Sequence, residues 1–215
     1  MRDFPMFTTE YGIASLVLRE IAYQGCAYVT VLDSAEPEKL IEECVQFCRM
    51  CGAETVYGKG HPCMETFPLY TVLLEMQAAH ARIPETDAAL WPVQPETLEH
   101  WRKIYNDKVK KIPNGAWMTE KDGREMVEKG EGYFVHRGQT LLGIGKVSGN
   151  VIEWVASVQP GAGKDVVSAL CHAITEDTVR LTVAENNQKA RDLYVQLGFL
   201  PVREVSRWYI LHKNK

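Results

Sequence analysis

A glycine-rich turn in the second half of the chain has the composition of a phosphate-binding loop. In the stretch SVQPGAGKDVVSAL, residues 157–170, a run of β-type residues ends in two glycines and an apolar helical pattern begins. Glycines let backbone amides approach a ligand closely, and the N-terminus of the following helix favours negative charge. The pattern therefore predicts an anion site for which a phosphate is the natural ligand.

The two commoner phosphate loops do not fit this stretch. A Walker A loop, G-x-x-x-x-G-K-[ST], would end in Gly163 and Lys164, but Val158 stands at its first glycine position and Asp165 at its hydroxyl position. The dinucleotide fingerprint G-x-G-x-x-G is also incomplete, because Val166 takes the place of the third glycine. Neither an NTPase loop nor a dinucleotide fingerprint is therefore favoured.

Three of the six cysteines offer a second chemistry. Cys44, Cys48 and Cys51 have a C-x3-C-x2-C spacing that resembles the iron–sulfur motif of radical SAM enzymes, and His61 or Cys63 could complete a zinc site instead. Pro37, however, opens and Gly52 closes a helical pattern in which all three thiols fall on the apolar stripe. We interpret them as packed, reduced thiols without a metal, which suits a reducing compartment.

The elements around these motifs indicate a mixed α/β chain with two parts. Residues 14–33 are typical of a β-hairpin, followed by the cysteine-bearing helix and two more strands. The segment AAHARIPETDA has no strong period, so we place a linker at residues 81–89 between domains at 1–80 and 90–215. In the second part, the sequence pattern predicts a strand, two helices, three strands, the glycine-rich turn with its helix, and then a strand, a helix and a strand. Thr119 is the predicted N-cap of the second of the two helices.

The tail of the chain, VAENNQKARDLYVQLGF, resembles the GNAT superfamily of acetyl-CoA-dependent N-acetyltransferases, whose last helix carries N-x-x-A-x-x-L-Y-x-x-L-G-F. The matching positions are Asn187, Ala190, Leu193, Tyr194, Leu197, Gly198 and Phe199. The element order from residue 90 is similar to that family's as well. The resemblance implies a GNAT-like α/β (mixed α+β) fold, with a central, mostly antiparallel sheet flanked by helices. We interpret residues 1–80 as a degenerate half-repeat of the same fold.

In the light of this resemblance, the glycine-rich turn is similar to the family's pyrophosphate loop, Q/R-x-x-G-x-G/A. Gln159, Gly161 and Gly163 match, but the loop is about a residue short, and Asp165 stands near a usual glycine. The resemblance implies an acetyl-CoA site. Its residues would be Ala156, Ser157, Val158, Gly161, Ala162, Gly163, Lys164, Asp165, Asn187 and Tyr194.

The chemistry that the resemblance implies is acyl transfer from a thioester to an amine. Main-chain groups of residues 155–158 would pair with the pantetheine arm, and one amide would stabilise the oxyanion. Tyr194 would protonate the departing thiolate, the alternative being a tyrosine that only packs on the sheet. Glu153, a carboxylate within an apolar strand, is the candidate general base, with His136 and His172 as weaker candidates.

Charge and hydropathy limit the partners. The net charge is −4 with scattered Lys and Arg, which disfavours nucleic acid, and no apolar run approaches the roughly 20 residues that span a bilayer. We expect a cytoplasmic monomer or homodimer that transfers acetyl from acetyl-CoA to a primary amine of a small molecule or peptide, without a metal. The alternative is an acyl-CoA-binding regulatory module with weak or no turnover, which the short loop and Asp165 would favour.

Overall fold

A computed structural model describes residues 5–110 and 115–214 of the chain. In chain order the strands are β1 Met6–Thr9, β2 Gly12–Val17, β3 Cys26–Ser34, β4 Thr55–Lys59, β5 Leu69–Ala79, β6 Ala89–Pro92, β7 Gly132–Arg137, β8 Thr140–Ser148, β9 Val151–Ser157, β10 Thr178–Ala184 and β11 Leu200–Lys213. The α-helices are α1 Ile21–Gln24, α2 Pro37–Met50, α3 Leu98–Val109, α4 Glu120–Glu128, α5 Gly163–Cys171 and α6 Gln188–Gln196.

The chain forms two compact units whose bounds differ from the predicted domains. One unit consists of the chain up to Val72 together with the segment that starts at Ser206. The other unit runs from Leu73 to Val205. The divisions therefore fall inside β5 and β11 rather than at a linker, because each of these strands begins in one unit and ends in the other. The predicted linker instead overlaps a short 3-10 helix, His80–Arg82, and the start of β6.

The N-terminal unit is built on the predicted hairpin and helix. Strands β2 and β3 pair antiparallel, and β3 pairs parallel with β4 across α2. The first hairpin strand is shorter than expected, because the chain turns after Val17 through α1, which ends at Gly25 in the left-handed region. The C-terminal unit contains the same succession, from β8 and β9 through α5 to β10. The half-repeat interpretation stays a prediction, and this shared succession supports it.

The cysteines of α2 differ in their surroundings. Cys44 and Cys48 are fully buried, and burial raises the pKa of each thiol to about 12. Cys51 was expected on the same stripe, but it is exposed, because the helix ends at Met50 and the chain turns away at Gly52. Among the described residues, no group of three or more His, Cys, Asp or Glu side chains is arranged to hold a metal ion.

The C-terminal unit contains a sheet with the strand order β5-β10-β9-β8-β7-β6, in which only β9 and β10 pair parallel. Phe134 and Val135 are neighbours in β7 and therefore point to opposite faces. Val135 packs in a core with residues of α5 and α6, whereas Phe134 packs in a core with residues of α3 and α4. The predicted mixed α/β fold with a mostly antiparallel sheet flanked by helices is confirmed.

A search of the described part of the chain for a helix long and apolar enough to cross a membrane finds none.

Two glycines of β8 allow α5 to pack closely on the sheet. An added Cβ at Gly145 would lie 2.2 Å from Cδ1 of Leu170, and one at Gly143 would lie 2.7 Å from Cγ2 of Val166. Both partners are fully buried residues of α5. The missing side chains at these two positions therefore let α5 approach β8 closely.

We expect Gly145→Ala to lower the free energy of unfolding by about 1–3 kcal/mol, because its methyl group must displace Leu170 from a well-packed core. Urea denaturation followed by circular dichroism measures the change. Thr140→Ala, at an exposed position of the same strand, is the matched control and should change stability much less. Equal stability of Gly145→Ala and wild type would contradict this account of the contact.

Candidate functional site

The sheet of the C-terminal unit opens between β9 and β10. Their register pairs are Val151 with Arg180 and Ile152 with Leu181, although β9 continues to Ser157 and β10 to Ala184. Paired strands lie about 4.8 Å apart and exchange backbone hydrogen bonds. Past Ile152 and Leu181 these two strands no longer pair. Among the described strands, none pairs with the facing edges of β9 and β10 beyond this point, and an extended ligand fits there as in strand addition.

A β-bulge in β9 lies at the point where the opening begins. Lys146 of β8 is opposite Trp154 and Val147 is opposite Ile152, so Glu153 is an extra residue in β9. A bulge bends its strand and increases the local twist. It also breaks the alternation of faces, which is why sequence spacing could not assign a face to Glu153.

Glu153 itself forms an ion pair rather than facing an apolar cleft. Its Oε2 lies 2.5 Å from Nζ of Lys146, and the side chain is 42% exposed. Lys146 is also 3.2 Å from Oε2 of Glu131, and Oε1 of the same carboxylate accepts a hydrogen bond from Ser148. Burial opposes the charge on Glu131, but the hydrogen bonds from Ser148 and Lys146 outweigh it and lower the pKa of Glu131.

The glycine-rich turn leads directly into α5, as predicted. Gly161 lies in the left-handed region with a φ of 81°, and an added Cβ there would meet no atom within 4 Å. The first backbone bond of the helix runs from the amide of Val166 to the carbonyl of Ala162. The amides of Gly163, Lys164 and Asp165 therefore precede the helical bonds and are available to an anion.

The carboxylate of Asp165 has polar and charged partners within its own unit. Its Oδ1 lies 3.0 Å from Nη2 of Arg137 and accepts a hydrogen bond of 3.3 Å from the hydroxyl of Thr86. Arg137 also binds Asp87 at 2.7 Å, so one guanidinium holds two carboxylates. Sequence reasoning missed this pair, because Arg137 lies in a different strand and no spacing connects it to the turn.

Tyr194 lies on α6 within the core that α5 and α6 share. The residue is 8% exposed, and its ring packs 5.9 Å from that of Phe199. Burial, and to a lesser degree Cys171, raises the pKa of Tyr194 to about 12. The phenol is therefore protonated at neutral pH. Asn187, at the start of the same motif, caps α6 by accepting a hydrogen bond of 3.3 Å from the amide of Ala190.

The remaining residues predicted to bind the cofactor lie at the end of β9 and directly after it. Ala156 and Ser157 lie in the part of β9 that does not pair with β10. On its other edge this part of β9 pairs with β8, where the two residues are opposite Ile144 and Gly143. Val158 follows directly and donates its amide to the carbonyl of Leu142.

The two histidines lie on other elements. His136 of β7 stacks on Trp91, with ring centroids 4.9 Å apart. His172 caps the C-terminal end of α5, opposite to the end at the glycine-rich turn, and its Nε2 lies 3.8 Å from Glu85. The structure therefore gives neither of them a position in the opening.

Neither a family profile nor a curated protein sequence matches the chain. Solved structures do. A functionally unknown conserved protein from Staphylococcus epidermidis is similar over 100% of this chain and 96% of its own, with a TM-score of 0.63 and 12% identity.

Two N-acetyltransferase structures show the same likeness. A GCN5-related N-acetyltransferase from Sphaerobacter thermophilus has a TM-score of 0.57 and 14% identity, with coverage of 94% of this chain and 78% of its own. A GNAT-family acetyltransferase from Colwellia psychrerythraea has a TM-score of 0.54 and 13% identity, with coverage of 95% and 84%. At these identities the likeness establishes the fold, and the fold of this chain is that of the GCN5-related N-acetyltransferases.

Proposed function

We propose that this chain transfers an acetyl group from acetyl-CoA to a primary amine of a small molecule or peptide, by direct attack in a ternary complex. The observation that carries the proposal is the opening between β9 and β10, with the amides of an α-helix N-terminus at its end. An extended arm that ends in phosphates matches such a site. The fold and the N-x-x-A-x-x-L-Y-x-x-L-G-F run of α6 agree with this assignment.

The backbone would supply most of the binding. In this proposal the edge of β9 that does not pair with β10, up to Ser157, pairs with the pantetheine arm. The amides of Gly163 and Lys164, at the N-terminus of α5, receive the pyrophosphate, where the positive end of the α5 dipole favours its charge. Recognition by main-chain groups depends on the shape of the backbone more than on the identity of the side chains. It therefore fits a glycine-rich turn that departs from the Q/R-x-x-G-x-G/A pattern.

Acetyl-CoA supplies an activated acetyl thioester. In the proposed reaction the acceptor nitrogen forms a bond to the acetyl carbon, and the carbon–sulfur bond breaks. A backbone amide of β9 that faces the opening stabilises the oxyanion. The nitrogen releases to solvent the extra proton that it carries after the attack, and Tyr194 gives its proton to the departing sulfur and regains one from solvent. A phenol with a pKa of about 12 is always available as the protonated donor at physiological pH.

Glu153 is our candidate for the base that removes the proton of the acceptor ammonium. The bulge places it where the opening begins, and its side chain is accessible. Its carboxylate is held by Lys146, so the ion pair must loosen or be shared before Glu153 can accept a proton.

A second candidate function is an acyl-CoA-binding regulatory module with weak or no turnover. The short loop and the carboxylate of Asp165 beside the amides favour it. The ion pair of Asp165 with Arg137 weakens this argument, because Arg137, although it is shared with Asp87, offsets part of the negative charge of Asp165.

The role of this ion pair can be tested with coenzyme A. We expect Arg137→Met to raise the Kd of coenzyme A by roughly 3- to 30-fold, because Asp165 then repels the phosphates. Asp165→Asn in the Arg137→Met background should restore most of the affinity. Isothermal calorimetry measures both changes.

Arg124→Met, which removes an exposed ion pair with Glu120 on α4, is the control and should bind normally. Normal binding by Arg137→Met, or failure of Asp165→Asn to restore affinity, would show that the phosphates lie elsewhere.

The catalytic claim is tested by release of the CoA thiol over a panel of amino acids, polyamines, aminoglycosides and peptides. We expect transfer to at least one acceptor, and Tyr194→Phe to lower kcat by about 10²- to 10⁴-fold. The Kd of acetyl-CoA should stay within a factor of about two, because Phe keeps the packed ring and lacks only the hydroxyl group that donates the proton.

Tyr209→Phe is a matched control, since Tyr209 is equally buried but belongs to the other unit. Tight acetyl-CoA binding without transfer to any acceptor would favour the regulatory module. Full activity of Tyr194→Phe would show that Tyr194 only packs in the core and does not donate the proton.

A further inference from the structure

A cluster of charged side chains lies on one face of the sheet at the opening between β9 and β10. Arg180 of β10 is paired with Val151, at the last point where the two strands remain together. Its neighbour Leu181 packs in the core with α5 and α6, so Arg180 points to the opposite face. A molecule that approaches the opening from the face without α5 and α6 therefore meets Arg180.

A buried glutamate holds two arginines in this cluster. Glu75 of β5 is only 6% exposed. Its Oε1 accepts from Nη2 of Arg180 at 3.1 Å, its Oε2 accepts from Nη2 of Arg203 at 2.7 Å, and Gln77 donates to Oε1 at 2.7 Å. Hydrogen bonds from Gln77 and then Arg180 lower the pKa of Glu75 to about 2, so it is ionised at neutral pH. Two guanidinium groups and one carboxylate leave the cluster with one positive charge in excess.

Both guanidinium groups keep donors for a further anion. Arg180 uses Nε and Nη2 on Glu75, and Arg203 uses Nη2 alone. Within the described residues, Nη1 of Arg180 and both Nε and Nη1 of Arg203 make no hydrogen bond. The two side chains are 38% and 58% exposed. A planar guanidinium held in place by a buried carboxylate is suited to bind a second carboxylate through parallel N–H groups.

The other side of the opening has the opposite charge. Lys146 shares its positive charge between Glu131 and Glu153, which leaves one negative charge in excess. Ser148, which donates to Glu131, is opposite Val151 in the β8–β9 register and therefore shares the face of Arg180. On this face, the β8–β9 side of the opening attracts an ammonium group and the β10–β5–β11 side attracts a carboxylate.

We propose that the acceptor is an amino acid or a close relative that carries a carboxylate next to its amine. Arg180 and Arg203 bind the carboxylate, and the amine points toward Glu153 and the opening. Glu75 is a positioning residue, because it acts by fixing the two arginines. This inference rests on the proposed function, and it names the substrate class of that same site.

The test measures acceptor binding apart from turnover. The wild-type chain is saturated with coenzyme A, and calorimetry gives the Kd of each of the common L-amino acids and of its carboxamide, which keeps the amine and loses the negative charge. We expect at least one amino acid to bind about 10-fold or more tightly than its carboxamide, as for a charge-assisted hydrogen bond. Arg203→Met should raise the Kd of that amino acid by about 10-fold or more and leave the carboxamide unchanged.

Arg191→Met removes another surface arginine, on α6, and should change neither Kd. Equal affinity for amino acid and carboxamide, absence of binding by every amino acid, or an equal loss of both ligands in Arg203→Met would each overturn the inference. The proposed function fails separately, if coenzyme A does not bind or if no amine of any class is acetylated. Acetylation of amines that lack a carboxylate, without discrimination, would leave the proposed function intact and overturn only the inference.

Discussion

The site depends on one constraint: β9 pairs with β8 along most of its length but with β10 at only two residues. The bulge at Glu153 bends β9 where this second pairing ends. Glycines in β8 let α5 pack close to the same part of the sheet. In the N-terminal unit, the corresponding strands β3 and β4 pair over five positions from Cys26 to Thr30, so no comparable opening forms there. This difference, rather than any single side chain, distinguishes the two units.

Charge placement around the opening follows a second rule: three carboxylates near it each have a cationic partner. Asp165 is bound by Arg137, Glu153 by Lys146, and Glu75 by two arginines. Partly exposed ion pairs of this kind add little to stability, and their effect here is to hold these side chains in defined directions. Backbone amides are thereby left as the means of binding a phosphate, and the excess charges on either side of the opening are left for an acceptor.

The sequence predicted the parts of the site that depend on local order. The turn at Gly161 and Gly163, the start of α5, the N-cap at Thr119 and the position of Tyr194 on its helix all follow from short-range patterns. Features that depend on pairing across the sheet were not predictable. The bulge at Glu153 is set by the β8 register, so one sequence position could not reveal its face.

Long-range contacts were missed for a similar physical reason. The partner of Asp165 lies in another strand, and Glu75 meets Arg180 and Arg203 only because β5, β10 and β11 come together in the folded unit. Amide hydrogen exchange with and without acetyl-CoA tests the central claim most directly. The account predicts slower exchange at residues 153–165 and 182–184, on both sides of the opening. Binding of acetyl-CoA that protects other segments and leaves both of these unchanged would contradict it.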